Sequence, residues 1–169
     1  VRTNNDRLSD ASFATFAKWL NLYGVYTHNT TITGVGFTKL VQHAHLRQVS
    51  LFGPNVNDDG LHAVSQLRHV THLQFGNGWD NKDCTSEKCK HRLHRAIITD
   101  RALSWVAQMP NLAYLTIDNA DITDDGIQHL GTLQSVEYIS FLRCPKLTLE
   151  GVDRLKTALP KTRIILHEN

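Results

Sequence analysis

Four residues of the types that hold metals or exchange disulfides fall within eleven positions: Cys84, Cys89, His91 and His94. Zinc takes tetrahedral sulfur and imidazole ligands, so the residue types suit it. The spacing, C-x4-C-x-H-x2-H, differs from a familiar zinc finger because Cys89 and His91 stand too close for the usual ligand loop. It also differs from haem attachment, where His directly follows the second Cys. Three readings stay open: a disulfide between Cys84 and Cys89 stapling a loop, free thiols in a basic loop, or a metal ion, zinc, on all four residues. Lys88, Lys90, Arg92 and Arg95 run through the same stretch. Cations there favour thiolates and attract anions, and a solvated charged loop accounts for the run as well.

Other chemistry is poorly supported. Ser, His and Asp are all present, but no Gly-x-Ser-x-Gly elbow, P-loop or His-Glu-x-x-His occurs, so no enzyme is expected. Apart from zinc at the loop, no cofactor is expected. The ten histidines are dispersed along the chain; His62, His69 and His129 fall on helices or turns, where polar surface residues belong. His72 precedes the Cys/His stretch, and a meeting with His91 or His94 would favour the metal reading. A contact sensitive to pH near 6 is a further reading of these histidines.

Composition narrows the rest. The 169 residues are 41% hydrophobic and 20% charged, ordinary values for a globular protein with a sizeable core. A net charge of +2 gives no argument for nucleic acid. No stretch reaches the ~18 consecutive apolar residues that suggest a membrane span. Three cysteines make no disulfide framework, which leaves the compartment open. No signal peptide is read, and a start at Val1 is expected of a processed or trimmed chain.

The elements that would position these residues form a repeat. The apolar spacing of Leu46, Val49 and Leu51 returns as Val70, Leu73 and Phe75, as Leu112, Leu115 and Ile117, and as Val136, Ile139 and Phe141. Leu22, Val25 and Thr27 make a weaker copy upstream, and Lys161, Ile164 and Leu166 a terminal one. Each reads as a short strand alternating like a half-buried one. Between strands a second phrase recurs, as in Val56-Asn57-Asp58-Asp59-Gly60-Leu61 and Ile122-Thr123-Asp124-Asp125-Gly126-Ile127. Thr or Asn there is a good helix N-cap, the acidic residues suit the positive end of the helix dipole, and apolar residues follow at helical spacing. Ile32 to Val56 and Ile98 to Ile122 both span 24 positions, and Ile122 to Leu147 spans 25. Each unit is therefore strand, turn, short helix, turn.

These motifs resemble the leucine-rich-repeat family, with its LxxLxLxx(N/C) strand pattern followed by (I/V)TDxGL. The segment from Phe141 through Cys144 to Thr148 is closest to the cysteine-containing, ribonuclease-inhibitor-like subclass. The resemblance covers nearly the whole chain. It implies an α/β fold: a right-handed solenoid in one domain over 1–169, with about six parallel strands on the concave face and helices on the convex side. End units cap such a stack, here as a helix over about 8–20 and a strand over about 162–167. Members of the family mostly bind other proteins and share no catalytic residues.

One interval breaks the frame. Val56 to Ile98 spans 42 positions, and the extra 18 place an insertion at about 77–95, within the third repeat. It carries Trp79 and the Cys/His set. Insertions in one repeat map to loops on one face, often a binding face.

Alternation along the strands places three rows on the open side of the sheet. One is Gly24, Gln48, His72, Tyr114, Tyr138, Arg163; the next is Tyr26, Ser50, Gln74, Thr116, Ser140, Ile165; the third is His28, Phe52, Gly76, Asp118, Leu142, His167. Interface centres are rich in Tyr and Phe and poor in Lys and Glu. Tyr26, Phe52, His72, Tyr114, Tyr138, Leu142 and Trp79 are therefore the expected contacts with a protein partner, although Tyr also suits strands for its own sake. Three functions compete: an interaction module, an accessory subunit or assembly factor of a larger complex, and a metal- or redox-binding protein using the Cys84–His94 loop.

Overall fold

Five-residue stretches that alternate apolar and polar residues build the sheet. The structure, a computed structural model, describes residues 2–3, 8–28, 31–76 and 98–167. It is an α/β fold with an all-parallel sheet whose strands follow one another in sequence order. A two-residue strand, β1 (Arg2–Thr3), is followed by β2 (Gly24–His28), β3 (Gln48–Phe52), β4 (His72–Gly76), β5 (Tyr114–Asp118), β6 (Tyr138–Leu142) and β7 (Arg163–Leu166). The expected six strands are these last six. Their pairing matches the expected register at every row, for example Gln48 beside His72 beside Tyr114 beside Tyr138 beside Arg163.

The helices are α1 (Phe13–Phe16), α2 (Asp58–Ser65), α3 (Asp100–Val106), α4 (Asp124–Gln128) and α5 (Leu149–Ala158). A 3-10 helix over Val35–Leu40 takes the place of an α-helix in its unit. Sheet and helices share one core. Val49, Leu51, Leu73, Phe75, Leu115, Ile117, Ile139 and Phe141 point into it from the strands, and Leu61, Val64, Leu103, Ile127, Leu130, Val152 and Leu155 meet them from the helical side. Each such side chain contributes about 1.5–3 kcal/mol, so the apolar frame dominates the folding energetics. Thr27, the polar member of the inward set, is fully buried and donates its hydroxyl to the Ser50 carbonyl at 3.3 Å.

The N-terminal element differs from the expected helix. The N-terminal segment is a 3-10 turn over Asp10–Ser12 followed by the four residues of α1, not one helix over 8–20. Phe13 and Phe16, three apart, already fill the inward face, and the winding beyond them continues only as turns to Trp19. At the other end β7 is four residues, inside the expected span.

The Thr-Asp phrase has a structural cause that reaches across units. Thr99, Thr123 and Thr148 cap their own helices, accepting from the backbone N–H of Arg101, Gly126 and Gly151. Each also donates its own N–H and hydroxyl to the Asp of the preceding unit. Asp58 takes Thr99, Asp100 takes Thr123 and Asp124 takes Thr148, all at 2.6–2.9 Å. Asp10 does the same for Thr33 and further accepts from the N–H groups of Gly34 and Gly36. In the next unit the pattern changes: Gly34 stands where the Asp would be, and the following cap is Asn57, which accepts from Gly60.

The glycines of the phrase answer to the same ladder. A Cβ on Gly126 would lie 2.0 Å from Asp100 Oδ1, and one on Gly151 would lie 2.1 Å from Asp124 Oδ1. Ala102 occupies the corresponding place beside Asp58 and is fully buried.

Candidate open-face interface

The first row of the sheet, at the strand starts, is an aromatic ladder. The His72 ring stacks on Tyr114 with centroids 4.4 Å apart and planes 14° from parallel, and Tyr114 lies 6.5 Å from Tyr138. These side chains share the row because their strands pair directly, β4 with β5 and β5 with β6. Two of its rings are anchored by side-chain hydrogen bonds. His72 Nδ1 lies 2.9 Å from the Thr71 hydroxyl, and the Tyr114 hydroxyl donates to Glu137 at 2.9 Å. That hydrogen bond, followed by the carboxylate charge, raises the Tyr114 pKa above its ordinary value. Tyr114 is 40% exposed, and Tyr138 and His72 are half-buried.

Toward β2 the row is filled differently. Gly24 has no side chain, and the Tyr26 ring takes that space: a Cβ on Gly24 would lie 2.8 Å from it. The Tyr26 hydroxyl there donates to Gln48.

The third row, at the strand ends, is more closed than alternation predicts. Phe52 stands in its expected row but is only 6% exposed, with the His28 ring 5.1 Å away. Phe52 therefore presents little accessible surface in this row. Burial lowers the pKa of His28. Asp118 is likewise buried, because Arg143 closes over it and donates to both carboxylate oxygens, the Nε contact at 2.8 Å. Arg143 does so from φ 48°, and Asn119 at the corresponding place in the previous unit has φ 51°. Such left-handed backbone costs a side-chain-bearing residue on the order of 1–2 kcal/mol, which the two-point ion pair offsets in Arg143. Leu142 is half-buried in this row. The second row is partly closed too, with Ser50 and Ser140 buried near His28 and His167.

The expected contacts thus divide. Tyr26, His72, Tyr114, Tyr138 and Leu142 lie on the open face with accessible surface, Phe52 is buried, and Trp79 lies outside the described residues. Cys84, Cys89, His91 and His94, which carry the disulfide, thiol and metal readings, also lie outside them. Among the described residues no group of three or more His, Cys, Asp or Glu is arranged to hold a metal ion. Among them also, no helix is long and apolar enough to cross a membrane.

The third cysteine, Cys144, is a core residue. Its thiol donates to the Leu142 carbonyl at 3.3 Å, and burial pushes its pKa up to about 11.

One surface escaped the sequence reading. Trp19 (45% exposed), Leu20 (86%) and Tyr23 (57%) project beside β2, and an open cleft of ≈ 560 Å³ is lined by Trp19, Asn21, Leu22, Tyr23, Gly24 and Tyr26. The sign was present as apolar residues past the last inward position, Phe16, where a capping helix needed none.

No protein-family model matches the chain, and no curated protein matches it.

Proposed function

We propose that this chain is a non-catalytic protein-interaction module, a right-handed leucine-rich-repeat solenoid whose concave face is the open side of the sheet. The repeat frame, its parallel register and the Thr-Asp ladder between units support that architecture. The observation that carries the function is the His72–Tyr114–Tyr138 ladder, three rings aligned over adjacent strands. Aromatic side chains bury large area at small entropic cost and are the typical anchors of protein interfaces. Tyr26 and Leu142 extend the surface, and Arg163 closes the first row with a charge.

The test is co-purification of the tagged full chain from its native source, with Tyr114→Ala/Tyr138→Ala as the comparison. A stoichiometric protein recovered by the wild type and missing from the variant supports the reading. Equal recovery by both removes the open face from it.

A further inference from the structure

We infer that the partner segment received along the first row is acidic, an inference that rests on the interaction reading above. Parallel pairing puts every strand start on one edge of the sheet. The chain entering that edge is hydrogen-bonded in a ladder of its own: Arg47 N–H to the Tyr23 carbonyl, Thr71 N–H to Arg47, Ala113 N–H to Thr71, Glu137 N–H to Ala113 and Arg163 N–H to Glu137. Among the described residues this edge, with the first row, carries Lys18, Arg47, Arg68, Lys161 and Arg163 against the single acid Glu137. The opposite edge, at the helix N-termini and strand ends, carries Asp58, Asp59, Asp100, Asp118, Asp121, Asp124, Asp125 and Glu150 against Arg101, Arg143 and Lys146, the last two paired with Asp118 and Asp121. The chain as a whole is near neutral, at +2, so the polarity is a product of the fold.

The two edges differ in what their charges do. The acidic edge is used internally, since Asp58, Asp100 and Asp124 spend both carboxylate oxygens on the following unit. On the basic edge, Arg68, Lys161 and Arg163 are exposed. The ion pairs among the described residues, Arg143–Asp118, Lys146–Asp121 and Lys156–Asp153, involve none of the five cations. Arg47 is held by the Ala44 and Leu46 carbonyls, which orient its guanidinium and leave its charge uncompensated.

A row of cations beside an aromatic ladder also suits single-stranded nucleic acid, whose bases stack on exposed ring faces. Here the rings are already stacked on one another, His72 on Tyr114 at 4.4 Å, and Glu137 sits at the Tyr114 hydroxyl where a phosphate would pass. A carboxylate-bearing peptide meets the cations with its side chains and the rings with apolar ones, and it has no dense backbone charge to set against Glu137. Complementary charge of this kind fixes orientation and speeds encounter more than it adds affinity.

The probe is a fluorescein-labelled dodecapeptide alternating Glu with Tyr, titrated with the full chain by fluorescence anisotropy. A Lys-for-Glu version and a single-stranded dodecathymidylate serve as comparisons. We expect the acidic peptide to bind most tightly, more weakly as salt is raised, and about tenfold or more weakly to Arg68→Glu/Lys161→Glu/Arg163→Glu. Arg154→Glu/Lys156→Glu, on α5, should leave that affinity unchanged. If the triple variant fails to fold, Arg68→Gln/Lys161→Gln should still weaken binding about threefold. No binding of the acidic peptide, binding indifferent to these changes, or tighter binding of the oligonucleotide overturns the inference. A native partner still lost with the Tyr114 and Tyr138 changes would, in that case, leave the interaction reading standing.

Discussion

The carboxylate of Asp100 receives both the backbone N–H and the hydroxyl of Thr123, each at 2.7 Å, so one aspartate of one unit fixes the helix cap of the next. Thr123 then accepts from the N–H of Gly126 and starts α4. A cap and an inter-unit contact are thereby joined in one side chain, and the same join recurs at Thr99 and Thr148.

Removing the carboxylate should therefore cost more than a surface substitution. Hydrogen bonds to a charged acceptor contribute about 1.5–3 kcal/mol each and are not additive within one group, so Asp100→Ala is expected to lose about 2–4 kcal/mol. Asp125→Ala, an exposed acid beside the ladder, should change stability by less than about 0.5 kcal/mol. Urea unfolding followed by circular dichroism reads both. Equal effects of the two substitutions would show that the ladder adds no stability.

Gly126→Ala reverses the usual rule for glycine in a helix. Alanine is ordinarily better there by about 1 kcal/mol, but the new methyl would lie 2.0 Å from Asp100 Oδ1. Ala102 beside Asp58 shows that a neighbouring unit accommodates a methyl, so the expected cost is modest, about 1–2 kcal/mol. In an Asp100→Ala background that cost should shrink, and the double-mutant cycle measures the coupling. A stabilised Gly126→Ala protein would contradict this.

Cys144 gives a pH signature. Its thiol pKa is raised by burial from 9.0 to about 11, so the fold favours the neutral thiol. The associated stabilisation, about 2–3 kcal/mol, is complete below the unfolded-state pKa and is lost as pH rises toward the folded one. Unfolding free energy should fall between about pH 9 and pH 11, and less so in Cys144→Ala. The native thiol should also resist alkylation at pH 8 until the protein unfolds, as peptide mapping after labelling would show. Rapid labelling of Cys144 in the folded protein would rule out this burial.

The strand register was readable residue by residue because alternation and a 24-residue frame both constrain it, and a slip of one residue would turn Val49 and Leu51 outward. The caps were readable because Thr before Asp is a local signal. What Asp100 does was not: its partner lies 23 residues away and depends on how α3 sits beside α4. The rows themselves were legible, but their exposure was not. Phe52 is buried beside His28 and Asp118 is closed off by Arg143, and such burial depends on side-chain directions that alternation does not encode. The charge polarity of the two sheet edges likewise appears only once the strands are known to be parallel.

The most direct measurement is the affinity of the co-purified partner for the purified full chain, by calorimetry, with Tyr114→Ala/Tyr138→Ala alongside the wild type. Both side chains project from the sheet away from the core, so the variant should unfold within a few degrees of the wild type. Loss of two aromatic anchors at an interface centre costs about 2–4 kcal/mol. A folded variant should form a complex at least about thirtyfold weaker, which is the lower end of that range. An unchanged affinity would contradict it and move the binding surface away from this face of the sheet.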